Sequence, residues 1–261
     1  MGIVTILWAF LPAFLWLYVI YKKDKHEPEP FKQIVKVYLV GMLATIPAIV
    51  INTIGGQLLP AQNRDLGQMA TMMFGIVGPN EEFWKFLFVY WMIAKSKEFD
   101  EPMDGIVYAC TGALGFAGLE NVLYVAQHGA GVVVLRAFTA VPMHFLASGI
   151  VGYALGKRRF GHGGIPVPLA LVIAAMMHGL YDFCAFGTAI TGNLALFGGL
   201  IVIVIAQGFW FRSAIKRLLA LSPFRPEAEP DFCDSCGELM PKMAAACAKC
   251  GTPAPTSEVV S

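Results

Sequence analysis

The sequence predicts an all-α fold: a polytopic transmembrane bundle of about seven helices followed by a small C-terminal zinc ribbon. Three observations lead there. Apolar residues make up 57% of the 261 positions and charged residues only 14%, against about 25% charged in ordinary soluble domains. The charges are segregated from a series of apolar runs, each long enough to cross a bilayer. Near its end the chain changes composition and places four cysteines as two C-x-x-C pairs.

The apolar runs cover roughly 3–21, 34–54, 69–94, 105–127, 131–155, 165–187 and 191–211. Each is close to the 20 residues or so that a helix needs to span hydrocarbon. Only helices and closed barrels satisfy their backbone in lipid, and barrel strands would alternate apolar and polar residues. The first run has no basic flank before it; its charges follow, in YKKDKHEPEP, as in a retained signal anchor. Lys22, Lys23, Lys25, Lys32 and Lys36 follow the first helix, and Lys95 and Lys97 the third. Lys157, Arg158 and Arg159 follow the fifth, Arg212, Lys216 and Arg217 the seventh, and the opposite side shows Arg64. Under the positive-inside rule the N-terminus is outside and the C-terminus cytoplasmic, which requires an odd number of spans. Residues 55–69 read as a short interfacial helix or a loop.

The membrane unit is expected to occupy residues 1–220. LSPFRPEAEP, at 221–230, reads as a linker, with three prolines and few core-forming side chains. In 231–252, Cys233, Cys236, Cys247 and Cys250 form two knuckles ten residues apart, each followed by a glycine that permits the turn. Two such pairs suit one structural zinc in a four-thiolate tetrahedron, and the expected cytoplasmic side disfavours disulfides. The ribbon reads as a docking or regulatory appendage for a cytoplasmic protein, and 253–261 as a disordered tail. Cys110 and Cys184 lie in apolar helices and read as packing residues.

Ionisable residues inside the apolar runs are the main functional signal, because hydrocarbon makes them costly. The third run carries GPNEEFWKFLFVYW, in which Glu81 and Lys85 share a helix face while Glu82 points about 100° away. The fourth carries Glu120 with Asn121 beside it, and the fifth has His144 ahead of a glycine series that permits close helix approach. In the sixth, His178 and Asp182 stand one turn apart, suiting two metal ligands or a ligand with its orienting carboxylate. Each feature alone has a bland reading: an insertion-permitting ion pair, a polar interhelical contact, a packed histidine. Together they supply two imidazoles and four carboxylates from four helices.

These residues resemble the PrsW-type intramembrane metalloproteases, related more distantly to the CAAX-processing and bacteriocin-immunity protease superfamily. The matching features are Glu81-Glu82-x-x-Lys85, Phe116-x-x-x-Glu120-Asn121, His144 and His178-x-x-x-Asp182. Where the CAAX relatives have histidine in the second motif this chain has Glu120, which argues against prenyl-protein processing. The resemblance implies zinc-dependent cleavage of a membrane-anchored protein such as an anti-sigma factor, in the bacterial cytoplasmic membrane. It implies His144, His178 and Glu120 as metal ligands and Glu81 as the base that takes a proton from water. Glu82 is either a ligand or exchanges roles with Glu81, and Asp182 orients or binds the metal. Asn121 would hold substrate carbonyl or water, and Lys85 would tune Glu81. The competing readings are a proton- or cation-coupled transporter and a non-catalytic scaffold that recruits through the ribbon. No nucleic-acid partner is expected.

Overall fold

A computed structural model describes residues 2–58, 65–225, 231–233, 235–240 and 247–252. The expected tail at 253–261, the second half of the linker, Arg64 and part of the ribbon lie outside these residues. The helices are α1 (Ile3–Tyr21), α2 (Phe31–Leu58), α3 (Leu66–Met72), α4 (Gly78–Ile93), α5 (Pro102–His128), α6 (Val132–Phe138), α7 (Ala140–Arg159), α8 (Val167–Thr191) and α9 (Leu194–Leu219). Residues Met73–Val77 form a π-helical turn joining α3 to α4. Six stretches are long and apolar enough to cross a membrane, with α6 and α7 counted as one. The interrupted helix α3–α4 supplies a seventh, so the expected bundle of about seven spans stands.

Local chemistry sets the boundaries. Asp65 caps α3 by accepting the Gln68 N–H at 2.8 Å, and Asn193 caps α9 through the Ala195 N–H at 2.9 Å. α5 starts at Pro102, where a missing N–H costs nothing. α7 and α9 end in Lys157–Arg159 and Lys216–Arg217, which complement the negative ends of their dipoles. Those basic residues lie within the helices, so α9 extends beyond the expected apolar run.

Two expected single helices are broken, both at prolines. Pro79 lacks the N–H that would bond Gly75, and here the Gly78 N–H reaches back five residues to the Met73 carbonyl. Pro142 lacks the donor for Phe138, and the chain departs from helical geometry at Thr139, between α6 and α7. The uncertain region before residue 69 is partly helical, as α3.

α5 is the hub, packed by α7, α2 and α1. Its glycines bring backbones into direct contact: Gly112 meets Gly41 of α2, and Gly105 meets Gly152 and Gly156 of α7. The outward faces of α1 and α9 carry exposed Leu7, Leu11, Phe14, Val202, Ile205 and Phe209, as a lipid-facing surface should. At one end of the bundle the Arg159 guanidinium donates to the Ala94 and Phe99 carbonyls, and the Tyr108 hydroxyl to Glu29, tying together the loops after α1 and α4 and the end of α7. At the C-terminus, β1 (Asp231–Phe232) and β2 (Leu239–Met240) pair antiparallel, Asp231 opposite Met240.

Candidate metal centre

Four helices bring the intramembrane polar residues to one place. α4 contributes Glu81, Glu82 and Lys85 just beyond the π turn, α5 Glu120, α7 His144, and α8 His178 and Asp182. Gly78 makes this possible, because its missing side chain lets α4 sit directly on the α8 backbone at Ala175 and Gly179. Glu81, Glu82, Lys85, His144 and His178 are all buried in protein.

Glu82 is fully engaged. Its Oε1 takes hydrogen bonds from Lys85 Nζ and His178 Nδ1, both at 2.8 Å, and its Oε2 takes one from Ser148 at 2.7 Å. A carboxylate partner places the His178 proton on Nδ1, leaving Nε2 to face Glu81 Oε2 at 3.5 Å and Asp182 Oδ2 at 3.4 Å. Lys85, a donor only, also reaches His144 Nδ1 at 2.8 Å, so His144 turns Nε2 toward Glu120 Oε2 at 2.9 Å. The expected Lys85–Glu81 pair is present at 3.8 Å, but the closer partner is Glu82. Lys85 also lies over the Phe116 ring, 4.4 Å from its centre.

Glu81 stands differently. Its Oε1 accepts from Asn52 at 2.9 Å, and Asn52 is in turn held by Asn80 at 2.8 Å. Its Oε2 is buried without a hydrogen-bond partner. Glu81 lines a cavity of about 250 Å³ shared with Glu120, Tyr124, His144, Tyr181 and Asp182. A second space of about 280 Å³ adjoins it across Glu81 and Glu120 and is walled by Thr45, Ile49 and Thr53 of α2.

The sequence reading missed Arg136. This buried α6 guanidinium pairs with Glu120, donates to Asn121 Oδ1 at 2.6 Å and stacks 3.8 Å above the Tyr124 ring. A lone cation in an apolar run demands a carboxylate partner, and that demand was the available signal. Asn121 is a correction in position: its amide donates to the Ala9 carbonyl at 3.1 Å, so both ends serve helix contacts rather than the cavity.

The donor set fits a first-row divalent metal. Glu81, His144 and His178 each offer an atom within 4.8 Å of the others, whereas Glu120, the oxygen ligand that the resemblance implies, lies outside that trio and is held by Arg136 and His144. The four C-terminal cysteines form a second such group. Cys233 Sγ lies 3.4 Å from Cys250 Sγ, and Cys236 Sγ 3.6 Å from Cys247 Sγ. Sulfur atoms on a tetrahedral zinc at about 2.3 Å would be about 3.8 Å apart. Both knuckles close alike: Gly237 N–H donates to Cys233 O at 2.8 Å and Gly251 N–H to Cys247 O at 2.9 Å. Each glycine sits at positive φ, 67° and 74°, where a side chain would strain the turn.

A helical membrane bundle with a buried glutamate–histidine centre defines an intramembrane metalloprotease-like protein, and comparison with known proteins agrees. Residues 29–209 match the model of the PrsW family of intramembrane metalloproteases. Protease PrsW of Geobacillus kaustophilus (strain HTA426) is 31% identical over 221 residues, 84% of this chain and 93% of that protein. Protease PrsW of Bacillus subtilis (strain 168) is 33% identical over 66% of this chain and 78% of its own length, and that of Oceanobacillus iheyensis is 33% identical over 67% and 80%. No solved structure matches. The chain belongs to the PrsW family, and its activity is of the protease kind.

Proposed function

We propose that the chain is a zinc-dependent endopeptidase that cleaves a membrane-anchored protein within or beside the bilayer. The observation that carries this reading is the Glu81 carboxylate, whose Oε2 accepts no hydrogen bond, lining a cavity with His144 and standing beside His178. His144 and His178 would hold the metal, with Glu120 as the oxygen donor beside His144 Nε2. Zinc at such a centre lowers the pKa of a water and polarises a carbonyl.

The chain's own groups do the rest. Glu81 accepts the proton of the attacking water at Oε2 and returns it to the leaving amine. Asn52 holds the other Glu81 oxygen and so aims the free one. Glu82 fixes the tautomer of His178, and Asp182 faces the same His178 nitrogen as Glu81, whereas His144 would ligate through Nε2 only with its proton moved to Nδ1 and the Lys85 contact there given up. Arg136 holds Glu120 in place.

The four cysteines would hold a separate structural zinc, in a cytoplasmic ribbon at 231–252 that serves partner choice or regulation. The basic flanks favour an external N-terminus and a cytoplasmic C-terminus in the bacterial inner membrane.

The test is Glu81→Gln in a full-length chain whose four ribbon cysteines are serines, so that bound metal reports the membrane site alone. Cleavage of a membrane-anchored reporter should fall by about 100-fold or more, with zinc content kept. Full turnover by Glu81→Gln would remove it as the base. His144→Ala with His178→Ala should lose both zinc and cleavage, and undiminished zinc in that variant would reject the metal assignment.

A further inference from the structure

About four turns along α5 from Glu120, the bundle holds a second group of carboxylates that the proposed chemistry does not use. Asp24 and Glu29 come from the α1–α2 connection, Glu101 and Asp104 from the start of α5. Asp24 is 3% exposed and the other three 0%. Asp24, Glu101 and Asp104 each present an oxygen within 4.8 Å of the others.

Internal hydrogen bonds account for only part of this group. Asp104 Oδ2 accepts the backbone N–H groups of Asp100 at 2.9 Å and Glu101 at 2.8 Å, and Glu29 Oε2 accepts the Tyr108 hydroxyl. Both oxygens of Asp24, Oδ1 of Asp104 and Oε1 of Glu29 are buried without a hydrogen-bond partner. Buried polar atoms are ordinarily satisfied, and four orphaned oxygens in one place ask for something that supplies positive charge.

We propose that Asp24, Glu101 and Asp104, with Glu29 beside them, bind one hard divalent cation that clamps the α1–α2 connection to the first turn of α5. The donors are all oxygen, with no imidazole or thiolate among them, which selects the calcium, manganese and magnesium class over zinc. Asp24, with both oxygens buried and unbonded, suits the flexible, often bidentate coordination of calcium. Protons are the competing occupant, since burial pushes the carboxyls of Asp24 and Glu29 up to about 8.

The experiment is equilibrium binding of radioactive calcium to the full-length, zinc-loaded protein in detergent micelles, with manganese and magnesium as competitors. One saturable calcium per chain is expected, displaced by manganese and accompanied by a higher unfolding temperature. Asp24→Asn and Glu101→Gln, each checked for folding by gel filtration, should weaken binding at least tenfold. If Asp24→Asn does not fold, Glu101→Gln decides. The proposal is overturned if folded wild type binds none of the three cations, or if the folded variants keep wild-type affinity. A rise in unfolding temperature on Asp24→Asn, without cation binding by the wild type, would assign the cluster to shared protons and overturn it equally.

Discussion

Glu81 and Glu82 are neighbours in sequence, yet one carboxylate is saturated and the other keeps an oxygen free. That difference comes from the helix: residues 100° apart approach Lys85 and His178 from different sides, Glu82 within hydrogen-bonding distance of both and Glu81 at 3.8 and 3.5 Å. The sequence also shows why six ionisable groups must share a centre, since no single helix can neutralise them. It does not show which pairs form. The Arg136–Glu120 pair and the helix contacts of Asn121, expected to hold substrate carbonyl or water, are not legible there, because contacts between α5 and α6 depend on the break at Thr139. Removing Arg136 leaves the partly buried Glu120 with His144 as its remaining hydrogen-bond partner. Arg136→Leu should therefore destabilise the protein by about 3–5 kcal/mol. Combining it with Glu120→Gln should recover part of that loss, read as a non-additive double-mutant cycle in thermal or denaturant unfolding.

At the scale of elements, two interruptions and one seam position the centre. The π turn before α4 and the break before α7 both trace to prolines visible in the sequence. Hydrophobic runs alone do not reveal them, because a run stays apolar across a broken helix. The seam is the backbone contact of Gly105 with Gly152 and Gly156. Gly152→Leu would drive a side chain into the Gly105 carbonyl and the Ala109 methyl. It should cost at least about 1–3 kcal/mol, since backbone cannot yield as a rotamer does, and a lowered unfolding temperature with reduced cleavage would show it. The four cysteines lie close enough together to share one metal ion, as their spacing suggests. A peptide of residues 228–252 should bind one cobalt under reducing conditions with thiolate charge-transfer absorption and then exchange it for zinc. Absence of binding would leave the segment without a metal role.

For the whole molecule, the number of crossings was legible because apolar length is nearly a direct readout of span count. The acidic cluster at the bundle end was not, since its members come from two connections far apart in sequence and each looks like an ordinary loop charge. Reporters fused near residues 60, 129 and 189 should appear outside, and those near 27, 98, 160 and 220 inside; a cytoplasmic residue 129 would overturn the orientation. The glycine seam then bears on how a peptide arrives. Helices in backbone contact neither part nor slide easily, so α5 and α7 carry Glu120 and His144 as one fixed jaw. α2 is seated on α5 in the same way at Gly41 and Gly112, so the softer side is α4, which Asn80 and Glu81 tie to Asn52 of α2 by side-chain bridges alone beside the space walled by Thr45, Ile49 and Thr53. A substrate strand entering there would trade those amide bridges for its own backbone groups as it reaches Glu81.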